Sequence, residues 1–275
     1  MQLLDFHIHS NCSPDAFDTM ADMALASGKA GVGIMCFTDH CDLDWFETGK
    51  PDPNCFDYWS RAKQQLAEAR AIKAPEMPEI RIGIELGETN HDPERGAAIA
   101  ATPEFDFVIG TLHSLRDTPD FYGLDYQSYE QCDELMHRYF AELAEIARIP
   151  YIDVIAHIGY TRRYMKKAGF DVRADMASYG DEITNVLQTA IDHGRGIEIN
   201  TSGLRNADVG QSIPGLDVLR RYRELGGEII TIGSDAHCTA DAGGKLREGM
   251  ELLREAGFKY VTAFKNRKPE FIKID

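Results

Sequence analysis

Seven short apolar runs recur along this chain, and nearly every one closes on a polar residue of the kind that ligates metals. Leu3 to Ile8 carries His7 and leads to His9, and Gly33 to Phe37 leads into Thr38-Asp39-His40. Ile80 to Glu85 ends on its own carboxylate, Asp106 to Gly110 runs on to His113, and Val154 to Ala156 stops at His157. Gly196 to Asn200 precedes Thr201-Ser202-Gly203-Leu204-Arg205, and Glu228 to Ile232 enters Gly233-Ser234-Asp235-Ala236-His237. Helical patterns separate these runs: from Met20 to about Gly28, Phe56 to Ala74, Asp92 to Ala101 with Pro93 in the first turn, Ser128 to Ala147, Asp181 to His193, Leu216 to Leu225, and Lys245 to Ala256. A basic loop follows His157. Alternation of this kind implies parallel strands joined by right-handed helical crossovers. An open sheet would string the strand ends along a line, with chemistry at one crevice. A barrel gathers all of them at one mouth. The expectation is therefore an α/β barrel of about seven strands, with residues 1–275 forming a single domain that contains neither an internal repeat nor a low-complexity tract.

Charge narrows the class of partner. The formal net charge of −16 leaves no basic face for a long nucleic acid. A small anionic substrate stays compatible with it, because bound cations reverse the local field. Cys12, Cys36, Cys41, Cys55, Cys132 and Cys238 form no Cys-x-x-Cys pair and read as reduced thiols. Met1 leads almost directly into a strand with no secretory pattern, and no apolar run approaches a membrane span. These features point to a cytoplasmic protein without membrane partners. The oligomeric state is not set by the sequence.

An isolated His-x-His pair is ordinary; its repetition at strand ends is not. Residues i and i+2 of a strand share a face, so His7 and His9 aim into one space. His7, His9, Asp15, His40, Glu85, His113, His157, Asp235 and His237 together use six of the nine histidines. So many buried polar rings at one mouth need metal ions to satisfy them. Imidazole with carboxylate suits zinc, iron or manganese better than calcium or magnesium. Nine ligands imply two or three divalent transition-metal ions, with Glu85 a natural bridge because it has two oxygens. Glu88, three residues on, reads as a solvated loop charge, and Cys12 as a packed thiol. His91, His137 and His193 fall in loops or helices, outside the set.

The segments His7-Ile8-His9-Ser10, Asp15, Thr38-Asp39-His40, Gly83-Ile84-Glu85, His113, His157 and Gly233-Ser234-Asp235-Ala236-His237 resemble the PHP (polymerase and histidinol phosphatase) superfamily. Ile199 to Arg205 looks like its histidinol-phosphatase branch. The resemblance implies a distorted (β/α)7 barrel with the metal site at the C-terminal ends of the strands. It implies that His7, His9, Glu85 and Asp235 hold one ion, that Glu85, His113 and His157 hold a second, and that Asp15, His40 and His237 hold a third. The implied activity is metal-dependent hydrolysis of a small phosphate monoester, L-histidinol phosphate foremost, by a hydroxide that bridges the ions. Asp235 or His237 would pass a proton to the leaving alcohol. Arg205 and then Arg162, in preference to Arg163, would clamp the phosphate. The loop from Ser114 to Tyr126 would shape the leaving-group pocket, with Asp117 or Asp120 facing a substrate amine. Other small phosphate esters, such as nucleotides, are the alternative substrates, and a non-catalytic metal-bound module is the reading from another class.

Overall fold

The computed structural model describes residues 2–45, 47, 50–51 and 58–274. Cys55 and the expected helix start at Phe56 lie outside them. In chain order the elements are β1 (Leu3–Ile8), α1 (Met20–Lys29), β2 (Val32–Phe37), β3 (His40–Asp42), β4 (Asp44–Trp45), β5 (Lys50–Pro51), α2 (Tyr58–Ala71), β6 (Glu79–Gly87), α3 (Pro93–Ala100), β7 (Phe107–Thr111), α4 (Tyr129–Ile146), β8 (Val154–Ile155), α5 (Arg162–Lys167), α6 (Met176–Asp192), β9 (Gly196–Asn200), α7 (Ser202–Arg205), α8 (Leu216–Glu224), β10 (Ile230–Gly233), α9 (Leu246–Glu255), β11 (Tyr260–Lys265) and β12 (Lys268–Lys273).

The strands run parallel in the order β1-β2-β6-β7-β8-β9-β10, and β3 extends the pairing along the second half of β6. This is a nearly closed, distorted barrel of seven strands, as expected. Its seam lies between β1 and the end of β10. There the Asp235 amide donates to the His7 carbonyl at 2.7 Å, and the His9 amide donates to the Ala236 carbonyl at 3.0 Å. Further along, the Asp5 carboxylate closes the gap, accepting from the Ser234 amide at 2.8 Å and the Ser234 hydroxyl at 2.6 Å. A Cβ on Gly233 would lie 2.2 Å from His7 Cβ and 2.5 Å from Glu198 Oε1, so only glycine lets the two strands come this close.

Local signals set the helices. Thr19, Asp92, Ser128 and Asp175 each accept a backbone N–H at a helix start. On α4 the buried Leu135, Met136, Tyr139, Phe140 and Leu143 form one helical stripe against the sheet. Two local expectations change. The basic segment after His157 contains α5 rather than being loop throughout, and α6 begins at Met176 instead of Asp181 because Asp175 caps it, with Tyr179 interrupting its helical geometry.

The hairpin β11–β12 was not expected at all. Its turn places Asn266 and Arg267 at φ 48° and 65°, a left-handed pair made without glycine. The hairpin covers the N-terminal end of the barrel, opposite the mouth. Phe264 packs on Phe107 with ring centroids 5.0 Å apart, and Asn266 donates its amide to Asp106. Arg267 forks onto Asp153, Nε to Oδ2 at 2.7 Å and a second contact to Oδ1 at 3.1 Å, and also donates to the Tyr151 carbonyl. Asp153 is 8% exposed, so removing its partner strands a buried charge. Arg267→Ala is expected to cost about 3 kcal/mol of unfolding free energy, read by urea denaturation, with bound metal unchanged. Asp153→Asn in the same background should return part of the loss.

Candidate metal centre

Each strand end delivers its side chain to the same mouth. His7 and His9 come from β1 and the residue just beyond it, and His40 opens β3. Glu85 sits near the end of β6, while His113, His157, Asp235 and His237 follow β7, β8 and β10 within a few residues. Asp15 reaches in from the loop after β1. All nine meet.

Glu85 is the hub, fully buried. Its Oε2 lies 2.9 Å from His40 Nδ1, 3.1 Å from His7 Nε2 and 3.6 Å from His9 Nε2. Its Oε1 lies 2.9 Å from His157 Nε2 and 3.4 Å from His113 Nε2. Asp235 Oδ1 stands 3.4 Å from His9 Nε2, 3.6 Å from His237 Nδ1 and 3.8 Å from His7 Nε2. Asp15 Oδ2 is 3.2 Å from His237 Nε2 and 3.8 Å from His40 Nε2. Asp235 reaches this position at φ 54°, a strained conformation for a residue with a side chain.

The chemistry of this set fits divalent cations. His7 Nε2, His9 Nε2, His40 Nδ1 and Glu85 Oε2 are buried, close together and without a hydrogen bond. Four orphaned lone-pair atoms around one point would be costly in a bare protein. Ligand atoms within ion-sharing range also group as His7, His9 and Glu85; as Glu85, His113 and His157; as His9, His40 and His237; and as His40, Asp42 and His113. Burial, which would raise the Glu85 carboxyl, is outweighed by the His7, His40 and His113 rings, which hold it well below the usual range.

Around this set stand orienting groups to which the sequence alone assigns no role. Glu198 is fully buried; its Oε1 is 2.8 Å from His7 Nδ1 and its Oε2 accepts the His157 amide at 2.9 Å. The His7 bond places the proton on Nδ1 and frees Nε2 as a ligand atom. Asp42 does the same for His113 Nδ1 at 3.0 Å, and Ser13 Oγ for His9 Nδ1 at 3.0 Å. Asp39 accepts from the Ser10 amide at 2.6 Å and from the Ser13 hydroxyl at 2.9 Å, which ties the β1 and β2 ends together. Asn200 Nδ2 and Ser202 Oγ both donate to Asp235 Oδ2, each at 3.2 Å. One available signal was Glu198 itself, a charge at the centre of the apolar run Gly196 to Asn200.

Glu88 corrects an expectation. It is 1% exposed, not solvated, and its Oε1 accepts the His113 amide at 2.6 Å and the Ser114 amide at 3.1 Å. Burial pushes its carboxyl well above the usual range. Cys12 is a buried thiol, as expected, and it forms no disulfide; nor do Cys36, Cys41, Cys132 and Cys238.

The mouth opens into a cavity of about 800 Å³ lined by His40, His113, His157, Asp235 and His237 together with Arg61, Asp120, Tyr160, Arg163 and Tyr164. The three arginines expected near the phosphate lie in different places. Arg163 lines this cavity, its guanidinium 5.1 Å above the Tyr160 ring and 2.6 Å from the Tyr164 hydroxyl. Arg162 lines a separate cavity, because successive residues of α5 point about 100° apart. Arg205 does not line the mouth either: it donates to the Gly244 carbonyl at 3.2 Å and pairs with Asp241 at 3.4 Å. Of the two acids expected near a substrate amine, Asp120 is on the wall, while Asp117 is exposed and off it.

His91, His137 and His193 stay outside the cluster. His91 is held between Asp44 Oδ2 at 2.6 Å and Glu142 Oε2 at 2.8 Å. Burial opposes its charge, but the two carboxylates push its pKa up to about 9. That value lies above the unfolded one, so its contribution is complete below about pH 6.5 and fades as pH rises through about 9. His91→Gln should therefore lower unfolding free energy at pH 6 by roughly 1–3 kcal/mol, with the deficit shrinking by pH 9.5 in urea titrations at both values.

Comparisons with known proteins agree with this fold. The PHP domain family model matches residues 5–202. A probable histidinol-phosphatase of Clostridium acetobutylicum is 28% identical over 260 residues, covering 94% of this chain and 96% of its own. The histidinol-phosphatase of Lactococcus lactis is 24% identical over 270 residues, covering 98% and 96%. The fold matches the crystal structure of histidinol phosphate phosphatase from Lactococcus lactis, complexed with zinc, L-histidinol and phosphate, with a TM-score of 0.76 at 23% identity over 98% of this chain and 99% of that one. Among the described residues, no helix is long and apolar enough to cross a membrane.

Proposed function

The chain belongs to the PHP domain family, and from that premise we propose that it is a metal-dependent phosphomonoesterase that converts L-histidinol phosphate to L-histidinol and phosphate. The observation that carries the reading is Glu85, with five imidazoles 2.9–3.6 Å from its two oxygens. The relatives from Clostridium acetobutylicum and Lactococcus lactis, a probable and a named histidinol-phosphatase, suggest the substrate. In this reading His7, His9, Glu85 and Asp235 hold one ion, Glu85, His113 and His157 a second, and Asp15, His40 and His237 a third. The ions are drawn from zinc, iron and manganese, with zinc favoured by the relative that contains it. When bound, such ions polarise phosphoryl oxygens and lower the pKa of water.

The protein's own groups do the rest. Glu198, Asp42 and Ser13 fix the tautomers of His7, His113 and His9, keeping the ligating nitrogens unprotonated. Arg163 offers a planar fork to the phosphate, braced by two tyrosine rings. In this reading Asp235 or His237, both on the cavity wall, passes a proton to the leaving alkoxide. Asp120 faces the cavity where the substrate's ammonium would lie. Residues 1–275 are taken as one barrel domain, and a cytoplasmic location accords with the free thiols.

The test is phosphate release from L-histidinol phosphate, a nucleoside monophosphate and an aryl phosphate, with metal analysis of the same sample. L-Histidinol phosphate should have the highest kcat/KM, and a chelator should abolish turnover. Metal-loaded protein that leaves L-histidinol phosphate intact would overturn the reading.

A further inference from the structure

The second cavity, on the far side of α5 from the mouth, has a volume of about 250 Å³ and is lined by Arg162, Lys166, Asp171, Arg173, Asp175 and Gln211. Three cations face it, although the chain as a whole carries −16. Its two carboxylates are already engaged. Asp171 pairs with Lys166 at 3.6 Å, and Asp175 Oδ1 accepts the Ser178 amide at 2.9 Å as the cap of α6.

Arg162 is the informative residue. It is only 8% exposed, and its Nε is buried without a partner. Among the described residues its guanidinium makes neither a hydrogen bond nor an ion pair. Its chain neighbour Arg163 also has a buried Nε without a partner, but donates from Nη2 to the Tyr164 hydroxyl, whereas no terminal nitrogen of Arg162 has a protein partner among the described residues. A lysine in this position could shed its proton; a guanidinium cannot, so it stays charged and needs an anion. A buried guanidinium without a direct ion pair is costly, and an orphaned buried donor calls for a bound ion or water.

We propose that this cavity is a second anion site, separate from the metal centre, that takes a small tetrahedral oxyanion of the phosphate class through Arg162, Arg173 and Lys166. The forked guanidinium of Arg162 supplies paired donors from below, while Arg173 and Lys166 close over the anion from the exposed rim. The proposal does not rest on the phosphatase reading, because none of its residues belongs to the mouth.

Equilibrium dialysis of the metal-loaded protein against radiolabelled inorganic phosphate tests it. Arg162→Gln and Arg173→Gln should each remove one equivalent of bound phosphate per chain, and Arg220→Gln, on the exposed face of α8 and away from both cavities, should leave binding unchanged. Arg162→Lys, which keeps the charge but loses the fork, should weaken it. Circular dichroism and metal content check the fold of each variant. Should Arg162→Gln misfold, the exposed Arg173 decides the question. Phosphate binding in Arg162→Gln and Arg173→Gln equal to that of the unaltered protein would overturn the proposal.

Discussion

Replacing Glu85 with glutamine is expected to lower phosphate release on the order of 10³-fold, the scale seen when one preorganised electrostatic contact to a transition state is lost. Glutamine keeps the size of the side chain and one of its oxygens, so packing alone predicts little change. What it loses is the charge that both carboxylate oxygens present to five rings. The bound metal should fall by at least one ion per chain, measured by elemental analysis after dialysis. The rings would then face a neutral amide, and its NH2 would point a donor at lone pairs that need a cation. Full metal content together with full turnover in this variant would show that the cluster is not the reaction centre.

The second large effect is expected at Arg163. Arg163→Met should cut kcat/KM for the phosphate ester by about 10²-fold, since methionine keeps the stem on Tyr160 and Tyr164 but removes the fork. Arg162→Met should change it little. A reversed order would mean that the substrate phosphate enters from the other side of α5. Metal content serves as the control, because among the described residues neither arginine forms a hydrogen bond or ion pair with any of the nine expected ligands.

Much of this arrangement was legible in the sequence, and the reason is geometric. Strand ends in a parallel barrel converge, so His7, His9, His40, Glu85, His113, His157, Asp235 and His237 announce a shared mouth simply by position. What stayed hidden depends on neighbours across the barrel. Glu198 matters because β10 brings β1, and with it His7, beside β9, a fact no local pattern contains. Glu88 looks like a loop charge until the loop folds inward and turns its carboxylate to two amides. Arg162 and Arg163 differ by one step on a six-residue helix, and one step decides which cavity a side chain enters. The β11–β12 hairpin escaped notice because its turn uses Asn266 and Arg267 where a glycine would normally signal it.

The clasp between Asp5 and Ser234 joins residues 229 positions apart. During synthesis β1 therefore must wait, one flank unpaired, until β10 has followed it out of the ribosome. Contacts this distant make for slow folding and a long window in which a sticky edge is available to other nascent chains. Pulse-labelled refolding should accordingly find β1 amides protected later than those of α4, and a chain that stops short of β10 should need a chaperone to stay in solution.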